Sequence, residues 1–413
     1  MNKKVLIIGL IWPEPDATAA GTRMKQLIHF FRNQDYDISF ASAAKKSDLS
    51  MELEKLSVST KFIQLNHFTF DDYIKDLDPG IVVFDRFLTE EQYGWRIREV
   101  CPNALRILDT EDLHFLRKAR EIAFKHGSED MVPYLKNDIA KREIASIYRC
   151  DLSLVISKYE ENLIINTFNI DQSLILYLPF LFDNQGSDEQ ASLPIFEDRA
   201  HFMTMGNFKH LPNWDSVLYL KNHIWPLIRK KLPEVELHVY GAYAPEKALQ
   251  LNNKKQGFII KGWVPKKKDA FIHARVCLAP LRFGAGLKGK LIDAMEFGTP
   301  SVTSSIGAEG IQDELAWNGF ITDDTEDFAQ LAVKLYTHEQ DWKTAQSNGF
   351  KLLSKNFNKQ RSENAFQLRI SQLRNQLEQH REKNFIGSML AHHTLQSTKY
   401  LSKWIEVKNA NAQ

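Results

Sequence analysis

The N-terminal half of the chain alternates short apolar runs with stretches of helical periodicity. The first run, Val5–Gly9, is continuous and of strand length, as in parallel strands that are buried on both faces. Met24, Leu27, Ile28 and Phe31 then recur at helical spacing. Further apolar runs lie at Ile38–Ala41, Phe62–Leu65, Ile81–Phe84, Leu105–Leu108 and Leu152–Ile156. The alternation of strands and helices predicts a parallel α/β sheet.

A second alternating series begins after residue 200. Residues 181–200 (LFDNQGSDEQASLPIFEDRA) are polar, acidic and rich in turn formers, so we expect an interdomain linker there. The apolar runs that follow are Phe202–Met205, Val235–Tyr240, Phe258–Lys261, Val276–Ala279, Ser301–Ser304 and Gly319–Thr322. The two series predict two Rossmann-like, doubly wound α/β domains, residues 1–180 and 201–340, that face a cleft. In such sheets ligands bind outside the carboxyl ends of the strands.

Residues 341–413 are charged, and we expect helices that pack on one or both domains. Their apolar residues form an interrupted stripe of Phe350, Leu353, Phe357, Phe366, Leu368 and Leu373. Residues 383–413 contain four lysines and scattered Met, Leu and Trp. An amphipathic helix at a membrane surface is one interpretation, but the low charge density favours simple docking or fraying.

Composition narrows the class of protein. A length of 413 residues suits two domains, and a net charge of +1 gives no global attraction to nucleic acid. Cys101, Cys150 and Cys277 are far apart and lack zinc-site spacing, which is typical of a reducing compartment. The first apolar run is too short for a secretory signal, and no run reaches the roughly 20 residues of a membrane span. We expect a cytoplasmic protein, and a location at the inner face of the membrane stays open.

A glycine-rich turn after the predicted strand Val276–Ala279 is the strongest candidate for chemistry. Gly284 and Gly286 allow a tight turn and a close approach of the backbone to a ligand. The helix that follows points its free N–H groups and the positive end of its dipole at that ligand. This arrangement suits a diphosphate.

Lys290 lies in the first turn of this helix, where its ammonium group can neutralise a phosphate. Asp293 shares the same face three residues later, and its carboxylate can accept hydrogen bonds from two ribose hydroxyls. A glycine-rich turn with a solvated Lys–Asp pair is the alternative. The strand–loop–helix context favours a site for a nucleoside diphosphate.

Residues 282–311, RFGAGLKGKLIDAMEFGTPSVTSSIGAEGI, resemble the donor-binding signature of glycosyltransferases with the GT-B fold, especially retaining glycosyltransferase family 4 (glycosyl transferases group 1). The loops Met205–Asn213 and Ile260–Pro265 resemble other parts of the same domain. The resemblance covers residues 202–311 well and the N-terminal half more loosely. It implies a GT-B fold, a nucleoside diphosphate sugar as co-substrate and no permanently bound cofactor.

The resemblance also implies roles for individual residues. Lys209 and Lys290 would contact the diphosphate, and Asp293 would hold the ribose. Trp263 and Val264 would lie near the base. The other donor-binding residues expected are Gly21, Gly206, Arg282, Gly284, Gly286 and Glu309, with Gly310 nearby.

The chain departs from the family pattern at one position. Many members have two glutamates eight positions apart, whereas this chain has Ala285 and Asp293 there. A carboxylate that could face the donor sugar is therefore missing, which leaves the identity of the sugar open. We find no Asp-x-Asp motif after a predicted strand. We therefore expect Lys209, Lys290 and the helix N-terminus, rather than a required metal, to stabilise the leaving group.

A second polar cluster, Glu111, Asp112 and His114, follows the predicted strand Leu105–Leu108. Such crowding costs free energy unless water, a cation or a substrate compensates. In the resembled family this region often carries a His–Asp pair near the reacting sugar. We expect the three residues to be catalytic, orienting the acceptor hydroxyl or stabilising positive charge at the anomeric carbon. A polar loop with Asp112 as a helix N-cap is the alternative.

Other polar motifs have more ordinary interpretations. Asp85 and Arg86 predict an internal ion pair, and Arg23 is either an anion contact or an exposed arginine at a helix start. Ser157 is expected to cap a helix whose Glu160 closes a capping box.

The leading hypothesis is transfer of a sugar from a nucleoside diphosphate sugar to an acceptor, with retention implied by the resemblance. The acceptor stays open between a glycan, a lipid-linked molecule, a small molecule and a protein. A sugar-nucleotide epimerase on the same fold is one alternative. Another is a catalytically degenerate GT-B protein that binds a partner, which Ala285 favours. A dehydrogenase is disfavoured because GxGxxG does not follow the first strand.

Overall fold

The computed structural model describes residues 2–183 and 186–410 as two parallel α/β sheets with helices around them. Residues 184 and 185 of the predicted linker and residues 411–413 of the tail lie outside the described residues. Every pairing between the named strands is parallel. The predicted fold class is confirmed.

The first sheet has seven strands in the order β3-β2-β1-β4-β5-β6-β7. Its strands are β1 Lys4–Gly9, β2 Asp37–Ser42, β3 Ser59–Phe62, β4 Ile81–Asp85, β5 Leu105–Asp109, β6 Leu152–Val155 and β7 Ile175–Tyr177. The sequence predicts a strand at Phe62–Leu65, but the strand in this region is β3, three residues earlier. The sequence pattern does not predict β7. Both are edge strands; β3 is largely exposed and so lacks the apolar run that marks a buried strand.

Helices cover both faces of this sheet. They are α1 Ala19–Asn33, α2 Thr69–Leu77, α3 Arg86–Val100, α4 His114–Lys125, α5 Asp138–Arg149 and α6 Lys158–Phe168. Helix α1 begins where the Thr18 hydroxyl accepts a hydrogen bond from the Gly21 amide at 2.9 Å. Its apolar stripe, including Met24, Leu27 and Ile28, is buried against the sheet.

Residues 181–200 were predicted to be linker, and they contain a short helix, α7 Ser187–Ala191. The end of this segment is fixed by Arg199, whose side chain is buried. Its guanidinium group donates to the Thr299 hydroxyl at 2.8 Å and to the Phe297 carbonyl at 2.8 Å. The segment therefore docks firmly onto the second sheet before the next strand begins.

The second sheet has six strands in the order β10-β9-β8-β11-β12-β13. Its strands are β8 Ala200–Met205, β9 Leu237–Tyr240, β10 Phe258–Gly262, β11 Ala274–Ala279, β12 Ser301–Thr303 and β13 Gly319–Ile321. Its helices are α8 Leu211–Tyr219, α9 Trp225–Lys231, α10 Glu246–Leu249, α11 Lys267–His273, α12 Gly289–Glu296, α13 Ser305–Ala308 and α14 Thr325–Thr337. A π-helical turn, Leu220–Ile224, joins α8 to α9.

The C-terminal helices lead the chain back to the first sheet. They are α15 Glu339–Asn356, α16 Lys359–Asn375, α17 Leu377–Lys383 and α18 Phe385–Ala410. Helix α15 packs on α12, whereas α16 packs on the first domain, where Phe366 stacks on Phe30 with ring centroids 4.5 Å apart. Of the predicted apolar stripe, Leu368 is an exception, because it is exposed. None of the described helices is long and apolar enough to cross a membrane.

Asp151 connects α17 to the core of the first domain. Its buried carboxylate accepts hydrogen bonds from Arg106 at 3.0 Å and from Arg381 at 2.8 Å. Burial opposes the charge on Asp151, but the two guanidinium groups outweigh it and hold the pKa of the carboxyl well below its usual value. The C-terminal segment is therefore attached to the first domain through Arg381, which shares the carboxylate of Asp151 with Arg106.

We predict that Asp151→Ala lowers the free energy of unfolding of this domain by about 3–5 kcal/mol, because it leaves two arginines near the core without their carboxylate. Urea unfolding followed by circular dichroism measures the change. Asp183→Ala is the control, because the Asp183 side chain is 83% exposed in its pair with Lys359, and a change within about 0.5 kcal/mol is expected. Equal destabilisation by the two variants would contradict the assignment.

Candidate functional site

The carboxyl ends of the two sheets face a cavity of about 480 Å³. Most of the residues that the sequence singled out line it. They are Glu111, Asp112, His114, Gly206, Lys209, Trp263, Val264, Gly284, Gly286, Lys290 and Asp293. Residues from both domains thus share one cleft, as expected for parallel sheets whose ligands bind beyond the strand ends.

The glycine-rich turn places two helix N-termini opposite each other. Gly286 has a positive φ of 66°, and a Cβ added there would lie 2.8 Å from the Cβ of Asp112 in the other domain. A Cβ on Gly289 would lie 3.0 Å from the Cβ of Ala19. Gly289 begins α12 and Ala19 begins α1. The cleft therefore has helix N-termini, and their positive dipole ends, on both sides.

Glu160 holds the glycine turn against the first domain. One of its carboxylate oxygens accepts hydrogen bonds from the Gly286 amide at 2.8 Å and the Leu113 amide at 3.2 Å. Burial and the nearby Asp112 raise the pKa of Glu160 to about 7. Ser157 caps α6 as predicted, but the expected capping box is wrong, because Glu160 binds across the domain boundary instead.

Lys290 and Lys288 bring two ammonium groups to the start of α12. The Lys290 ammonium donates to the side-chain oxygen of Asn213 at 2.9 Å, and that of Lys288 donates to the Gly286 carbonyl at 2.8 Å. Burial lowers the pKa of each lysine to about 8. Both groups are therefore mainly charged at neutral pH, yet they are poorly hydrated, which favours pairing with an anion.

Asp293 is paired within the cleft rather than solvated. Its carboxylate accepts a hydrogen bond from Lys267 at 2.6 Å. Burial raises the pKa of Asp293, and Lys267 opposes that rise. The Trp263 indole N–H donates to the Asp16 carbonyl in the first domain at 3.2 Å. This end of the cleft therefore offers a carboxylate acceptor beside a partly exposed aromatic ring.

Lys209 lies on the same side of the cleft in a second cation site. Its ammonium is 3.5 Å from the ring centroid of Tyr243, within the range of a cation–π contact. The Tyr243 hydroxyl donates to Glu14 of the first domain at 2.7 Å. Lys209, which the sequence predicts to contact a diphosphate, therefore lies beside the hydrogen bond between Tyr243 and Glu14 that joins the two domains.

Three predicted donor-binding residues do not line the cavity. Gly21 lies inside α1, where a Cβ would be 2.3 Å from the Glu14 backbone, so packing accounts for the glycine. Arg282 is held by Asp215 at 2.6 and 2.9 Å. Glu309 accepts two hydrogen bonds from Arg120 of α4, at 2.6 and 2.8 Å. The sequence pattern could not reveal the partners of Arg282 and Glu309, which are 67 and 189 residues away in the chain.

The acidic side of the cleft contains Glu111, Asp112 and His114. Glu111 has a positive φ of 62° and is buried. Its pKa is raised well above its usual value by burial and then by Asp109. Such a backbone conformation is strained in a residue other than glycine, and strain of this kind clusters at functional sites.

The pKa values of Asp112 and His114 are lowered, whereas that of Glu111 is raised. Burial opposes the charge on Asp112, but Arg117 and His114 outweigh it and lower its pKa to about 2. Burial lowers the pKa of His114 to about 4, so its imidazole is neutral at pH 7. Asp112 pairs with Arg117 and is not a helix N-cap, because α4 begins at His114 after Leu113. The alternative interpretation of Asp112 as a cap is wrong.

Below this cluster lies a buried charge network. Arg23 is 1% exposed, so its interpretation as an exposed arginine is wrong; the anion that it contacts is the carboxylate of Asp109, at 2.8 Å. Asp85 and Arg86 form the predicted pair at 3.6 Å. In the described part of the chain, no group of three or more His, Cys, Asp or Glu side chains could hold a metal ion.

Several residues that build the cleft were missed or misjudged from the sequence. Lys267, Lys288, Asn213 and Arg120 were not singled out, and Glu160 was given a local role. Lys288 could have been found, since it lies in the same turn as Lys290. The cleft as a whole combines two lysines at the N-terminus of α12 on one side with Glu111, whose pKa is raised, and Asp112, whose pKa is lowered, on the other.

Comparisons with known proteins concern the sequence of the second domain and the fold of both domains. Residues 199–338 match the sequence profile of the family described as glycosyl transferases group 1. A comparison with curated protein sequences gave no significant match. Among solved structures, sucrose-phosphate synthase from Thermosynechococcus elongatus is similar with a TM-score of 0.66 and 17% identity, over 91% of this chain and 99% of that one.

Two further solved structures share the fold. HepE from Anabaena, in complex with UDP and glucose, has a TM-score of 0.64 and 12% identity, over 89% of this chain and 99% of its own. TarM from S. aureus, in complex with Fondaparinux, alpha-GlcNAc-glycerol and UDP, has a TM-score of 0.56 and 14% identity. That similarity covers 74% of this chain and 58% of TarM. Residues 199–338 therefore contain a domain similar to glycosyl transferases group 1, and the shared two-domain architecture shows the GT-B fold.

Proposed function

We propose that this protein transfers a sugar from a nucleoside diphosphate sugar to an acceptor, with retention of the anomeric configuration. The observation that carries the proposal is α12, where Lys290 and Asp293 face the cleft inside the segment that matches glycosyl transferases group 1. UDP is the nucleotide to test first, because the structures of HepE and TarM contain it.

The donor would lie along the second domain. One phosphate of the diphosphate would contact Lys290 and the N-terminus of α12. The other phosphate would contact Lys209. The ribose hydroxyls would donate to Asp293, and the base would lie near Trp263 and Val264. These roles are supported by charge and position, since each of these side chains lines the cavity.

The reaction would occur where this donor meets the acidic side of the cleft. The bond between the anomeric carbon and the diphosphate oxygen breaks, and a bond to the acceptor oxygen forms. The acceptor proton passes to the leaving diphosphate. Lys290 and the helix N-terminus stabilise the negative charge on the leaving oxygen.

Asp112 and Glu111 would have different roles in the reaction. Asp112, with its lowered pKa, is ionised and suits positive charge that develops at the anomeric carbon. Glu111, with its raised pKa, can hold a proton and orient the acceptor hydroxyl together with neutral His114. The acceptor would bind on the side of the first domain. A glycan, a lipid-linked molecule, a small molecule and a protein are the acceptor classes to assay.

We predict that UDP raises the melting temperature of the protein and that Lys290→Ala weakens UDP binding by about tenfold or more, because a charge-assisted contact is lost. Isothermal titration calorimetry measures the affinity. Lys254→Ala is the control, since Lys254 is exposed and does not line the cleft. A protein that no nucleoside diphosphate stabilises would rule out the proposed function.

We predict that UDP affinity falls by about tenfold between about pH 7 and about pH 9. Lys290 and Lys288 have pKa values of about 8 in the free protein, so both lose their charge as the pH rises through this range. The bound diphosphate favours the charged forms, so binding becomes coupled to proton uptake. The slope should be shallower in Lys290→Ala, and a pH-independent affinity in the parent protein would contradict the assignment.

We predict that Glu111→Ala lowers kcat for sugar transfer by about 100-fold, because the hydrogen bond that orients the acceptor is lost, while UDP affinity changes by less than about twofold because Glu111 lies on the opposite side of the cleft. Transfer is followed by release of UDP, and the anomeric coupling constant in the proton spectrum of the product reports retention. Glu129→Ala, at an exposed position of the same domain, is the control. Donor binding without any turnover would favour a catalytically degenerate protein instead.

A further inference from the structure

Helix α18, Phe385–Ala410, packs on the first domain through its small and polar residues. A Cβ added at Gly387 would lie 2.0 Å from the carbonyl oxygen of Tyr148 in α5. Ala391 contacts the buried Trp95 of α3, and Ser402 is 2% exposed. The inward residues of this helix that the structure describes, Gly387, Ala391 and Ser402, are therefore small and permit close approach.

Charged contacts fix the rotation of α18 about its own axis. Arg96 of α3 is 2% exposed and donates to the Ser402 hydroxyl at 3.0 Å. The same guanidinium group pairs with Glu406. Lys399 pairs with Glu99 of α3. Turning the outer face of the helix toward the protein would break these contacts, so that face stays directed outward.

The outward face is made of large apolar and aromatic side chains. They are exposed by 44–73% and comprise Phe385, Ile386, Met389, Tyr400, Leu401, Trp404 and Val407. Most of them fall within about one third of the helical circumference at 3.6 residues per turn. They form two clusters, Phe385–Met389 and Tyr400–Val407, near the two ends of the helix. Clusters of large exposed apolar side chains on a folded domain mark an interaction site rather than ordinary surface.

The charges on α18 select the kind of partner. Among its charged residues, Lys399, Lys403, Lys408 and Glu406, the single acid faces inward to Arg96. Lys403 and Lys408 are exposed beside the apolar face, and Lys408 lies over the Trp404 ring. The exposed face of a second copy would offer no carboxylate from α18 to Lys403 and Lys408, because Glu406 faces inward. Aromatic rings mixed with lysines suit the interface of an anionic bilayer.

We propose that the outward face of α18 is a docking surface for membranes that contain anionic lipids. Phe385, Tyr400 and Trp404 enter the interfacial region, while Lys403 and Lys408 meet the lipid headgroups. The helix lies flat on the bilayer and does not cross it. This inference does not depend on the proposed transfer reaction, because none of these residues lines the cleft.

The experiment is co-sedimentation of the full chain with vesicles of phosphatidylcholine alone and of phosphatidylcholine mixed with phosphatidylglycerol. The parent protein should partition onto the anionic vesicles. The combined variant Tyr400→Ser, Trp404→Ser and Val407→Ser should reduce that partitioning by about tenfold or more. Lys403→Glu with Lys408→Glu should reduce binding to anionic vesicles and leave the weak binding to neutral vesicles unchanged.

The matched control is Leu368→Ser, which removes an apolar side chain that is 60% exposed on α16, outside this face. It should bind vesicles like the parent protein. Thermal melting checks that the α18 variants keep their fold, as expected for exposed side chains. Absence of binding to anionic vesicles, or equal binding by the combined variant, would overturn the proposal. So would a dimer of the parent protein in light scattering that the combined variant loses.

Discussion

The contact between Glu160 and the backbone of the glycine turn is the constraint on which the cleft depends. One carboxylate oxygen takes amide hydrogens from Gly286 in the second domain and Leu113 in the first. Gly286 must lack a side chain for the two domains to approach this closely. The bond between Arg120 and Glu309 supports the same approach from α4. Together these contacts bring the cationic and the acidic sides of the site within reach of one ligand.

Much of the architecture could be predicted from the sequence, since central parallel strands are continuous apolar runs. The runs at Val5–Gly9 and Ile81–Phe84 lie in β1 and β4, both of them buried. The turn before α12 was recognisable because its glycines, Lys290 and Asp293 are local in sequence. The turn lies between β11 and α12, as the order of the apolar run, the glycines and the helical pattern in the sequence predicts. Edge strands such as β3 lack this signal, because their side chains are exposed.

The rest of the site depends on pairs that are distant in sequence. Glu160 is 126 residues from Gly286 and 47 from Leu113, so its motif suggested only a local cap. Arg23 pairs with Asp109 across 86 residues, which no helix-start pattern reveals. The pKa values of Glu111 and Asp112 move in opposite directions although the two residues are adjacent. That difference comes from burial and from neighbouring charges, which only the folded chain defines.

The chain passes between its domains twice, and the two passages lie side by side. The Phe182 amide donates to the Phe357 carbonyl at 2.9 Å, and the Lys359 amide donates back to Phe182 at 2.9 Å. Two adjacent covalent connections, joined by backbone hydrogen bonds, hold the two domains together at this point. Sliding or twisting of one domain against the other would break these hydrogen bonds, whereas a rotation about this point would keep them. The two connections therefore favour one relative position of the domains, in which the glycine turn is in register with the first domain.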